Sequence, residues 1–160
     1  MHPPQQQPAA EPTMKGSPHM HPALGDGLAS VQKIFDYVET QPDLDIIAIT
    51  DHDDIRGAMQ ALELIERRKY RFKVIPGNEI TANGVHILHV NGSRRIEPTA
   101  DRQTVIDAIV GDGRRDGGFA IVNHPNWFAE FDHCSQESPY AWHGYQGIEI
   151  FNGTIDRLEA

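Results

Sequence analysis

Nine histidines stand at positions 2, 19, 21, 52, 86, 89, 124, 133 and 143 of a 160-residue chain, and imidazole is the side chain most often found on a protein-bound metal. Interspersed with them are the carboxylates Asp26, Asp51, Glu79 and Glu149. Together the two types offer borderline nitrogen and hard oxygen donors, the mixture that holds divalent cations. His19 and His21 are two apart, so on an extended segment both rings project from one face and can share an ion. His86 and His89 are three apart in an apolar run, so they face opposite sides, and His86 is taken as the functional one. Asp26 in Gly25-Asp26-Gly27 reads as a turn residue or as an oxygen donor. The acids of Thr50-Asp51-His52-Asp53 could serve only to meet the free amides of a helix start. Glu79 after Pro76-Gly77-Asn78 would be an ordinary loop acid if it stood alone. His124, in Asn123-His124-Pro125, sits where proline turns the chain outward at a strand end. His133, Cys134 and His143 lie among Trp127, Phe128, Tyr140 and Trp142, a stretch that reads as a substrate wall or as a plain surface loop.

These residues need elements to hold them. Val31, Ile34, Phe35 and Val38 recur at helical spacing behind Ser30, which is placed as an N-cap and predicts a helix of about three turns. Residues 44–49 form an Ile-rich run suited to a buried parallel strand. A second helix is expected over 54–69, with Ile55, Ala58, Met59, Leu62 and Ile65 inward. A third strand is expected over 72–75, closed by Pro76-Gly77, and a fourth over 85–90, with Asn83-Gly84 as the turn before it and Asn91-Gly92 ending it. Val105, Ile106, Ile109 and Val110 mark a further helix, ended by the Gly-rich 111–118 stretch, before strands at 119–122 and 147–151. The alternation is βαβα, mostly parallel. On this map His19 and His21 end the first strand, Asp51 and His52 the second, Glu79 follows the third, His124 ends the fifth, and Glu149 and Asn152 end the sixth. Functional groups of α/β barrels and open sheets collect at that rim.

The rest of the composition narrows the class. The chain is 39% hydrophobic, enough for one domain with its own core. Residues 1–13 are rich in Pro and Gln, with little to bury, and are expected to be a disordered tail. A formal net charge of −9 gives no non-specific hold on nucleic acid or an anionic membrane. One cysteine excludes an internal disulfide, and no apolar run approaches the length of a membrane span, so a cytoplasmic protein is expected. No Gly-rich phosphate loop, paired-cysteine zinc knuckle or Gly-X-Ser-X-Gly elbow is present, so nucleotide-loop and serine-hydrolase readings lack support.

In order along the chain, these motifs resemble the PHP (polymerase and histidinol phosphatase) superfamily of metal-dependent phosphoesterases. His19-Met20-His21-Pro22-Ala23-Leu24-Gly25-Asp26-Gly27 is similar to its opening His-X-His-Thr-X-X-Ser-Asp-Gly, with Pro22 and Gly25 in place of Thr and Ser. Thr50 to Asp53 match Thr-Asp-His-Asp, and Gly77-Asn78-Glu79 match Gly-X-Glu. Val85-His86-Ile87-Leu88, Asn123-His124-Pro125 and Ile148-Glu149-Ile150-Phe151-Asn152 resemble the later elements.

The resemblance implies a distorted (β/α)7 TIM-like barrel of which residues 14–160 hold the N-terminal part, because the family's late Asp-X-His motif has no counterpart before Ala160. It implies two or three divalent ions (Zn, Mn or Fe) on His19, His21, Asp26, His52, Glu79, His86 and His124. Asp51, His52 and Glu79 are the implied catalytic residues. It also implies a small phosphorylated substrate, attacked by a metal-bound hydroxide. An amidohydrolase-like activity on carbonyl carbon and a metal-binding, non-catalytic remnant are the two rival readings. The substrate's identity and the oligomeric state stay open at this level.

Overall fold

A computed structural model describes residues 13–124 and 142–150. Its elements run β1 (Gly16–Ser17), α1 (Val31–Glu39), β2 (Ile46–Ile49), α2 (Arg56–Arg67), β3 (Lys73–Ala82), β4 (Val85–Val90), α3 (Arg102–Asp116), β5 (Phe119–Val122) and β6 (Gly147–Ile148). The strands form one curled six-stranded sheet in the order β1-β2-β3-β4-β5-β6.

The helices follow from their apolar spacing and their ends. Val31, Phe35 and Val38 are buried on α1, and the Ser30 hydroxyl accepts a hydrogen bond from the Lys33 amide at 3.3 Å, so Ser30 is the expected N-cap. α2 is shorter than 54–69; Ala58 is buried and Ile55 packs on the core as expected, with Gly57 and Ala61 buried beside them, but Met59 is exposed rather than inward. Small residues on that face let the helix lie close to the sheet. α1 and α2 pack Val31, Phe35, Val38, Ala58 and Ala61 onto Ile47, Ile49 and Phe72. α3 packs Val105, Ile106 and Ile109 onto Ile80, Ile87 and Ala120.

Two further expectations about the elements are corrected. Pro76-Gly77 does not end β3; it marks where that strand changes neighbours. Residues 73–76 pair in parallel with β2, and residues 77–82 pair antiparallel with β4. A Cβ at Gly77 would overlap the His89 carbonyl oxygen, so only glycine lets the two strands approach there.

The sheet is mostly parallel, as expected, with antiparallel β3/β4 and β4/β5 ladders beside three parallel ones. Asn83 and Gly84 both have positive φ, 50° and 78°, the backbone of a tight hairpin turn that reverses the chain. Finally, α3 continues through Gly111 and Gly113 and stops at Gly117, whose left-handed backbone (φ 82°) lets its amide bond the Gly113 carbonyl at 2.9 Å.

Candidate metal centre

The strand ends are laced together before any side chain is considered. Beyond β1, the Thr50 amide donates to the Met20 carbonyl at 2.9 Å and the Met20 amide to the Thr50 hydroxyl at 3.2 Å. This fixes the segment carrying His19 and His21 beside the end of β2. Residues 51–53 are tied to β3 in the same way: the Glu79 amide donates to the Asp51 carbonyl at 2.9 Å, and the Asp53 amide to the Glu79 carbonyl at 2.8 Å. The Asp53 carboxylate accepts from the Thr81 amide at 2.8 Å. His52 and Glu79 are thereby paired across a bridge.

Glu79 is fully buried, and five imidazoles converge on its carboxylate. Around Oε2 lie His19 Nε2 at 3.0 Å, His21 Nε2 at 3.2 Å and His52 Nδ1 at 3.2 Å. Around Oε1 lie His124 Nε2 at 3.1 Å and His86 Nδ1 at 3.4 Å. Asp26 joins from the loop after β1, 3.0 Å from His21 Nδ1 and 3.6 Å from His52 Nε2. That loop is closed on itself by the Gly27 amide, which donates to the Pro22 carbonyl at 3.2 Å. A Cβ at Gly27 would overlap the His21 carbonyl, so the loop cannot fold this way around a larger residue.

The electrostatics express the crowding. Burial alone would lower the pKa of His19, yet the carboxylates of Glu149 and Glu79 raise it to about 9. His21 is also raised, with burial opposing and Glu79 prevailing. Burial lowers His52. Glu79 would be raised by burial, but hydrogen bonds to His124, His19, His21 and His86 hold it well below the usual carboxylate range. Five rings cannot all carry a proton to one carboxylate without strong mutual repulsion. Divalent cations between the nitrogens and the carboxylates remove that conflict, so the donor set fits them. Three groups of donors lie close enough to hold an ion each: His19, Glu79 and His124; His21, Asp26 and His52; His52, Glu79 and His86.

All seven residues expected as ligands therefore fall in one place. His86 points to Glu79, whereas His89, paired with Asn78 on the opposite face, is buried on the α3 side of the sheet. Glu79 is not a loop residue but an interior strand residue, because β3 runs past it. Asp51 belongs to none of the three groups: its buried carboxylate lies where a Cβ on Gly25 or Gly57 would collide with it, and burial pushes its pKa up to about 7.

Two residues without an assigned role also reach the centre. Asn123 Nδ2 donates to Glu79 Oε1 at 2.7 Å. Glu149 lies against His19 at 3.2 Å and accepts from the His124 amide at 2.9 Å. Glu149 was legible as a polar residue at a strand end; Asn123 was hidden inside its motif.

Of the loop read as a substrate wall or a plain surface loop, Trp142 packs on the α3 core, and the exposed His143 exchanges two backbone hydrogen bonds with the Gln103 side-chain amide at 2.9 and 3.0 Å. Trp127, Phe128, His133, Cys134, Tyr140 and Asn152 lie outside the described residues. Among the described residues, no helix is long and apolar enough to cross a membrane.

No protein-family model matches the chain, and no curated protein matches it by sequence. Among solved structures, it is similar to a two-domain protein from Bacteroides vulgatus ATCC 8482 described as containing a predicted PHP-like metal-dependent phosphoesterase. The likeness has a TM-score of 0.60 at 21% identity and covers 79% of this chain. The chain spans 39% of that protein's length.

Proposed function

We propose that this chain is the ligand-bearing part of a PHP-type phosphoesterase, built on part of a distorted (β/α)7 barrel, which hydrolyses a small phosphorylated substrate with the help of two or three divalent ions. The observation that carries the reading is the convergence of His19, His21, His52, His86 and His124 on the buried carboxylate of Glu79. The curled α/β sheet shared with a PHP-like neighbour supports it.

The ions, zinc, manganese or iron, would be held by the three donor groups named above. When bound, they supply a Lewis acid for phosphoryl oxygens and acidify a water molecule toward pKa ~7. The protein does the rest. Glu79, common to two of the groups, sets the spacing between them. His52, also common to two, couples the loop carrying Asp26 to the sheet. Asn123 holds Glu79 Oε1 in place. Asp51, next to His52 in the chain, buries its carboxylate against Gly25 and Gly57, and with its pKa raised by that burial to about 7 it is the group that can take up or release a proton beside the centre.

The test is elemental analysis of the purified full chain, with a manganese- or zinc-supplemented assay on an aryl phosphate and, in parallel, an aryl carboxylate ester. Two or more bound ions and phosphatase activity lost in His52→Ala are expected. Cleavage of the carboxylate ester alone would favour the amidohydrolase reading. Metal without turnover would favour a non-catalytic remnant, and a chain that takes up no metal would overturn the proposal.

A further inference from the structure

We infer that Glu149 is the positioning residue of this centre, a carboxylate clasp that sets the tautomer of His19 and the backbone of His124 so that both rings present Nε2 to the Glu79 group. The inference rests on the metal-binding reading above.

The two ends of the His19 ring face different carboxylates. Nε2 lies 3.0 Å from Glu79 Oε2, and Nδ1 lies 3.2 Å from Glu149 Oε1. Glu149 is thus behind the ring as seen from Glu79, where it can orient His19 but does not share the donor group of His19, Glu79 and His124. A carboxylate can only accept, so in the metal-free ring each nitrogen points a proton at its own carboxylate; a cation on the Glu79 side would displace the one on Nε2, while Glu149 keeps the one on Nδ1. Asn123 Nδ2 also lies 3.4 Å from His19 Nδ1, but as a donor it cannot accept the Nδ1 proton, and it donates to Glu79 Oε1 at 2.7 Å.

The other Glu149 oxygen acts on the backbone. Oε2 accepts from the His124 amide at 2.9 Å. His124 has a φ of 26°, a conformation that a residue with a Cβ rarely adopts and that surrounding contacts must hold. In that conformation its ring lies stacked 5.8 Å from the His19 ring, with Nε2 3.1 Å from Glu79 Oε1. One side chain, at the end of β6, therefore sets two donors that come from the ends of β1 and β5. Glu149 is itself held, because its amide donates to the Val122 carbonyl at 2.8 Å.

The test compares the full chain with Glu149→Ala and Glu149→Gln. Zinc affinity is read by competition with a chromophoric chelator. The His19 ring protons are read by nitrogen-15 NMR of the metal-free protein, and the metal-free melting temperature is the control for folding. Glu149→Ala is expected to weaken one zinc site by roughly 10- to 100-fold, as loss of an outer carboxylate partner of a ligating histidine does. The Nδ1–H signal of His19 should shift or broaden away, with the melting temperature little changed. Glu149→Gln, whose amide oxygen can still accept from Nδ1–H, should recover part of the affinity and the signal. Should Glu149→Ala fold poorly, the Gln variant carries the test: wild-type affinity with an unmoved His19 signal in either variant overturns the inference. A wild-type chain that takes up no zinc removes the metal-binding reading itself, and that outcome is distinct from normal uptake unaffected by the substitutions.

Discussion

In the metal-free protein, stability should fall as pH rises from about 7.5 to 9.5, and His19 should account for most of the fall. Its folded pKa is about 9 against an ordinary 6.5. A histidine with a raised folded pKa stabilises the fold fully below its unfolded value, and that stabilisation is lost as pH climbs through the folded one. The ring is largely buried, so solvent screening takes little from the effect. The whole gap corresponds to about 3 kcal/mol, of which about 2 kcal/mol falls between pH 7.5 and 9.5, roughly thirtyfold in the folded-to-unfolded ratio. His21, also raised, adds in the same direction. Asp51, raised by burial to about 7, stabilises the fold fully below its unfolded value and loses that contribution as pH climbs through about 7, so nearly all of it is gone before the window opens. His52, lowered by burial, changes stability only below 6.5.

Urea titrations in the presence of a chelator, at several pH values across the window, measure the slope directly. His19→Gln should flatten it. An equal fall in wild type and His19→Gln, or a wild type that is flat or becomes more stable, would refute the reasoning. Added manganese should reverse the slope, because the cation and the protons compete for the same nitrogens.

His86→Ala and His89→Ala should separate cleanly. The first removes a donor beside Glu79 and should lower the metal stoichiometry with a small change in melting temperature; the second empties a fully buried position on the α3 side and should cost about 2–4 kcal/mol by urea titration while leaving metal uptake intact. Gly27→Ala should force open the loop that carries Asp26, since its methyl would meet the His21 carbonyl. The expected cost is about 1–3 kcal/mol, with zinc lost first from the group of His21, Asp26 and His52, as seen by chelator competition.

How much of this could be read in the residues differs from part to part. The donors were legible because their types are few and their spacing is regular: His19 and His21 two apart, His52 in its acidic motif, His124 before a proline. α1 was legible as well, since a 3.6-residue repeat and a serine cap are local properties. The alternation of a strand also separates His86 from His89, because residues three apart cannot share a face.

Other features depend on partners distant in sequence. Pro76-Gly77 has the composition of a turn, yet the strand passes through it because β2 is the neighbour on one side of the pair and β4 on the other. That continuation turns Glu79 from a loop acid into a buried strand residue around which five rings close. α3 runs through two glycines because packing against the sheet outweighs their weak helical preference. Nothing in the order of residues joins Glu149 to His19, 130 positions earlier; the curl of the sheet brings the end of β6 behind a ring that the end of β1 supplies. Local spacing names the donors, whereas the angle and tautomer at which each is held depend on contacts made only when the strands are side by side.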